Sequence, residues 1–121
     1  MTNDQQGFEP VIDVEITVHA DELQAALTPA LERGLTAMGM AGERFAKENI
    51  RANGSIVTGR LLNSITFAVD GMDVYIGTNV EYAPYVELGT RRSHAKPYLK
   101  PAAEEHGREY EQLLKESLEA G

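Results

Sequence analysis

The chain contains no cysteine, and none of its apolar runs approaches the ~20 residues that a membrane-spanning helix needs. The first absence excludes disulfides, thiolate metal ligands and a cysteine nucleophile. The second argues against a membrane partner, and the N-terminal residues are polar and acidic rather than the apolar run of a secretion signal. Basic residues are also scarce: 11 Lys+Arg stand against 19 Asp+Glu, for a net charge of −8. Such a chain lacks the basic face with which a protein grips nucleic-acid phosphates. Enzyme signatures are missing as well. His19, His94 and His106 are far apart with no paired ligand spacing, and no phosphate-binding loop, Walker pattern or nucleophile elbow occurs. His106 falls on an apolar stripe, where a packed histidine is the expectation. No residue is nominated as catalytic, metal-ligating or cofactor-binding, and the sequence reads as a non-enzyme without cofactor.

What is present fits one soluble domain: 121 residues, 42 % hydrophobic and 25 % charged. Residues up to Glu32 hold seven acids and no Lys or Arg, whereas Arg33 to Lys100 carries nine bases and six acids. From Pro101 onward six acids face two bases. Acidic ends around a mildly basic middle have two readings: solubility alone, or acidic ends meeting the basic middles of neighbouring copies in a homo-oligomer.

Met1 to about Phe8 has nothing to bury and is expected to be a flexible arm. Ile12 to Val18 alternates, with Ile12, Val14, Ile16 and Val18 on one side and Asp13, Glu15 and Thr17 on the other, which predicts a half-buried strand. Asp21 to about Ala52 has helical periodicity, capped by Asp21; Pro29 either kinks it or opens a second segment capped by Thr28. Gly34, Gly39 and Gly42 weaken this helix by about 1 kcal/mol each relative to Ala, so close packing against another backbone is expected there. Asn53-Gly54-Ser55 ends it.

Ser64 to Thr78 predicts a β-hairpin closed by Asp70-Gly71, pairing Val69 with Met72, Phe67 with Val74 and Ile65 with Ile76. Val80 to Leu88 suits a short helix with Pro84 in its first turn. Gly89 to Lys96 is a polar, basic loop, expected to be mobile in the free subunit. Its Gly89-Thr90-Arg91-Arg92 run reads either as an anion site or as an exposed connection. Pro97 opens a last helix with Leu99, Ala102, Ala103, His106, Tyr110, Leu113, Leu114 and Leu118 on one stripe. Together these predict an α+β fold: one domain, an antiparallel or mixed sheet of three to five strands, and two long helices on one face.

Three blocks carry a resemblance: Thr58-Gly59-Arg60-Leu61-Leu62-Asn63-Ser64-Ile65, then Val80 to Thr90 with its Tyr82-Ala83-Pro84-Tyr85-Val86-Glu87-Leu88-Gly89-Thr90 core, then Ala95-Lys96-Pro97-Tyr98-Leu99-Lys100-Pro101-Ala102. In this order the chain resembles the small neck or tail-completion (tail-component) proteins of long-tailed bacteriophages. The resemblance implies a structural virion protein at the head–tail junction: a homo-oligomeric ring, taken as a hexamer. That ring would end the tail tube, join it to the head connector or stopper protein, and let DNA pass through its lumen without tight or sequence-specific binding. Localisation would be the virion neck, with assembly in the host cytoplasm. The net charge suggests an acidic lumen. The other reading is a non-viral acidic homo-oligomeric adaptor.

Gly59 and Gly89 are expected at sharp chain reversals. Arg60 would pair either with a neighbour's acid or with Glu87 of its own chain. Tyrosine is favoured at interfaces. The expected interface residues are Arg60, Tyr82, Tyr85, Glu87, Arg91, Arg92, Lys96 and Tyr98.

Overall fold

The alternation at the N-terminus and the hairpin signal combine into one sheet. The computed structural model describes residues 8–18, 28–53 and 58–120. Strand β1 (Ile12–Ile16) and the hairpin strands β2 (Thr66–Asp70) and β3 (Asp73–Thr78) form an antiparallel sheet in the order β1-β3-β2. The fold is α+β, with helices α1 (Pro29–Asn53), α2 (Thr58–Ser64), α3 (Ala83–Leu88), α4 (Leu99–Glu104) and α5 (Gly107–Ala120). The N-terminal arm and the Asp21 cap lie outside the described residues. Among the described residues no helix is long and apolar enough to cross a membrane.

Pro29 opens α1 rather than kinking a longer helix. The Leu31 amide donates to Thr28 Oγ1 at 3.2 Å and the Glu32 amide to the Thr28 carbonyl at 2.9 Å, so Thr28 caps the helix. Proline costs nothing in the first turn, where its missing N–H would have had no helical partner. The glycines of α1 mark close packing, but at Gly39 and Gly42 it is against side chains rather than the expected backbone; only Gly34 approaches another backbone, at Leu114. A Cβ on Gly39 would overlap the Phe67 ring of β2. One on Gly42 would lie 2.7 Å from Ile16 Cδ1 and 3.2 Å from the Tyr110 hydroxyl. Through these contacts α1 lies across the apolar sheet face, with α5 packed beside it at Gly34. The core between them holds Leu31, Leu35, Met38, Phe45, Ile50, Val74, Ile76, Leu99 and Tyr110. Each such side chain, fully buried, contributes roughly 1.5–3 kcal/mol of hydrophobic transfer.

Four sequence expectations are corrected. The hairpin pairs Val69 with Val74 and Phe67 with Ile76, each partner two residues along β3 from the predicted register. Gly71 and Met72, not Asp70 and Gly71, form the loop, with Gly71 at φ +62° and Met72 exposed. The slip conserves side-chain parity, so Phe67, Val69, Val74 and Ile76 still share one face. The Thr58–Ser64 stretch is helical, and the strand begins only at Thr66. Gly59 therefore sits inside α2, where a Cβ would meet nothing, rather than at a reversal. The last helix is two helices, α4 and α5, broken before Gly107. The Tyr110 hydroxyl donates to the Ala102 carbonyl at 2.6 Å, occupying an α4 acceptor. His106 stacks on Phe45 with ring centroids 3.6 Å apart, the packed histidine expected of that position.

The opposite sheet face is of another kind. Asp13 and Glu15 of β1, Thr66 and Asp70 of β2 and Asp73 of β3 are exposed on it, around half-buried Tyr75.

Candidate interaction surface

The segment from Val80 to Ala102 is built around one carboxylate. Glu87, on α3, is buried, and its two oxygens accept three backbone amides from the start of α4. Oε1 takes the Tyr98 and Leu99 N–H groups at 3.0 and 2.9 Å, and Oε2 takes that of Lys100 at 3.1 Å. A helix start leaves its first amides without helical partners, and a negative charge there also meets the positive end of the helix dipole. The next residue, Pro101, has no amide to satisfy. Glu87 and Pro101 together thus complete the N-terminal accounting of α4. Tyr98 is wholly buried beside it and donates its hydroxyl to the Ala83 carbonyl at 3.1 Å. Asn49 and Asn53 of α1 hold the same strand of chain, donating to the carbonyls of Tyr98, Lys96 and Pro97.

The basic loop between α3 and α4 is closed rather than open. Gly89 ends α3 at φ +82°, its amide donating to Tyr85 O at 2.9 Å. A Cβ there would stand 2.7 Å from the Ala95 amide nitrogen, so the two arms of the loop touch. Thr90 N donates to Ser93 O, and Thr90 Oγ1 accepts the amides of Arg92 and Ser93. Lys96 N closes the base by donating to Val86 O at 2.8 Å. Three amides that an anion would need are committed to the loop itself, which favours the connecting-loop reading. The turn presents Arg91 and Arg92 at its exposed tip.

Of the eight expected interface residues, the fold separates two kinds. Glu87 and Tyr98 point inward, with 6 % and 0 % exposure, and serve the fold. Tyr85, Arg91, Arg92 and Lys96 are exposed on or beside α3. Arg60 pairs with Glu81, not with Glu87: two parallel bonds of 2.9 Å join the exposed side chains. These bonds hold the Glu81 carboxyl below the usual carboxylate range. The Arg60 guanidinium also lies 5.6 Å from the centre of the half-buried Tyr82 ring.

Two features escaped the sequence reading. Leu88 is 72 % exposed and lies one turn along α3 from Tyr85, itself 63 % exposed. The spacing of three residues on a predicted helix was the available signal. The second is the convergence of acids on the open sheet face, where outward positions of all three strands meet. Burial, and then Asp73, Glu15, Asp70 and Asp13, push the Tyr75 phenol above its ordinary value. Burial and then the neighbouring Asp73 likewise raise the Glu15 carboxyl. Among the described residues no group of three or more His, Cys, Asp and Glu side chains is arranged to hold a metal ion.

The exposed apolar and cationic patch lies in and just beyond the second quoted sequence block, whereas the acidic face is carried by β1 and the hairpin. No curated protein and no solved structure matches the chain. A family profile does match, over residues 18–89, which takes in α1, the whole hairpin and α3. That span is more than half of the chain, and the chain belongs to the family described as Bacteriophage HK97-gp10, putative tail-component.

Proposed function

We propose that this protein is a structural component of the phage neck, acting in tail completion. Copies form a ring on the end of the tail tube, stop its growth and offer the head connector or stopper protein a surface to bind. Membership of a phage tail-component family carries this reading. The surface chemistry supports it: α3 and its loop expose Tyr85, Leu88, Arg91 and Arg92 together, the aromatic and arginine mixture that protein interfaces favour. The role is non-catalytic. The net charge of −8 suits a channel through which DNA slides, because an acidic wall repels phosphates instead of holding them. The protein belongs in the virion and assembles in the host cytoplasm.

Native mass spectrometry of the purified protein tests the ring. A closed oligomer, hexameric in the expected case, supports it. A species that stays monomeric up to high concentration, with or without tail tubes, overturns it.

A further inference from the structure

The structure carries two exposed surfaces of opposite charge that do not meet within the chain. One is the outward sheet face with Asp13, Glu15, Asp70 and Asp73. The other is the α3 patch, where Tyr85 and Leu88 stand beside Arg91, Arg92 and Lys96. We propose that the α3 patch of one copy docks on the acidic sheet face of the next, making the head-to-tail contact of the ring. The inference rests on the ring reading above and names the surfaces that build it.

Three observations lead there. First, the charges are opposite in sign and nearly equal in number, and among the described residues none of these acids or bases has an ion-pair partner of its own. Juxtaposing opposite potentials selects the partner and fixes its register. Second, the apolar component lies in the right place. Tyr85 and Leu88 are adjacent on one exposed helix face, and the half-buried Tyr75 provides an uncharged centre among the acids. Apolar contact ringed by charge is the usual anatomy of an interface. Third, the two surfaces lie on different sides of the subunit. The acids occupy the sheet face away from α1, whereas the loop is bound to the C-terminal end of α1 by Asn53. A contact between two different surfaces is heterologous and propagates from copy to copy, closing into a ring when its rotation permits. A two-fold contact of one surface with itself would stop at a dimer.

The loop is prepared for such docking. Its own hydrogen bonds fix the turn, so little backbone order has to be gained on binding. Charge recognition also predicts that assembly weakens as salt rises from about 0.1 to 1 M.

A charge-swap experiment tests the proposal. One variant carries Arg91→Glu and Arg92→Glu; a second carries Asp13→Lys, Glu15→Lys and Asp73→Lys. All five positions are exposed, and circular dichroism verifies that both variants fold. Alone, each should need a concentration at least roughly 100-fold higher than the natural protein to assemble, since like charges replace opposite ones. Mixed in equal amounts, they should assemble again, because every contact in an alternating ring is then between opposite charges. If the natural protein forms rings and both variants do so equally well, this interface is wrong and the ring reading stands. Reversal of the loop that abolishes binding to tail tubes but leaves self-association intact assigns the patch to another virion protein and overturns the proposal. A natural protein that remains monomeric sinks both. Variants that assemble poorly and are not rescued by mixing also refute the pairing of these two surfaces.

Discussion

Replacing Glu87 by Gln keeps the size and shape of the side chain but removes its charge and one of its acceptor atoms. Two of the amide bonds, from Tyr98 and Leu99, can survive on the remaining carbonyl oxygen. They lose their ionic character, which lowers each from about 1.5–3 to about 0.5–1.5 kcal/mol. The third amide, from Lys100, would face the new NH₂ group, donor against donor. Leaving that N–H unsatisfied costs about 1–3 kcal/mol more. The sum is a destabilisation of roughly 3–6 kcal/mol. For a domain of this size that lowers the thermal midpoint by about 12–24 °C. Urea unfolding followed by circular dichroism gives the free energy directly, and a thermal melt gives the midpoint. A change below about 0.5 kcal/mol, the range of an ordinary surface substitution, would refute the structural role of Glu87. Unchanged stability together with lost self-association would return Glu87 to the interface, where the sequence reading had placed it.

Three further outcomes are expected. Burial holds the Tyr98 and Tyr110 phenols far above their ordinary value. The unfolded chain then releases their protons first, so their contribution is complete below about pH 10 and is lost as pH rises beyond it. Urea unfolding at increasing pH should show that fall, and Tyr98→Phe should flatten part of it. Gly39→Ala drives a methyl group into the Phe67 ring and should cost about 1–3 kcal/mol, read from the shift of the urea midpoint. Gly89→Ala combines a strained φ with the 2.7 Å approach to Ala95, and should cost about 1–3 kcal/mol and increase hydrogen exchange at the Thr90 and Lys96 amides.

Periodicity made most of the fold legible. The alternation of β1 and of the hairpin placed every strand residue on its correct face, and the close-packed role of Gly34, Gly39 and Gly42 followed from their cost in a helix. The hairpin register slipped by two residues because Asp-Gly and Gly-Met loops both preserve parity, and only the positive φ of Gly71 at the first loop position distinguishes them. The α4–α5 break was hidden because the apolar stripe continues through it. What interrupts the helix is tertiary: His106 stacks on Phe45, and Tyr110 reaches back to the Ala102 carbonyl. Glu87 illustrates the harder case. Its partners are backbone amides eleven to thirteen residues away, which no pattern of side-chain types announces. The first two quoted blocks fall almost wholly within the family match and the third lies beyond it, and two polar residues of the blocks, Glu87 and Tyr98, are internal ties. The exposed surface comes instead from Tyr85 and Leu88 of the second block and from Arg91 and Arg92 just past its end.

The proposed role is to complete the tail and join it to the head. Electron microscopy of particles made by the virus with a stop codon in this gene tests it most directly. Unjoined particles are the predicted result: headless tails of irregular length if tube termination fails, or filled heads without tails if joining fails. Complete virions of normal tail length and normal infectivity, made without the protein, would contradict it.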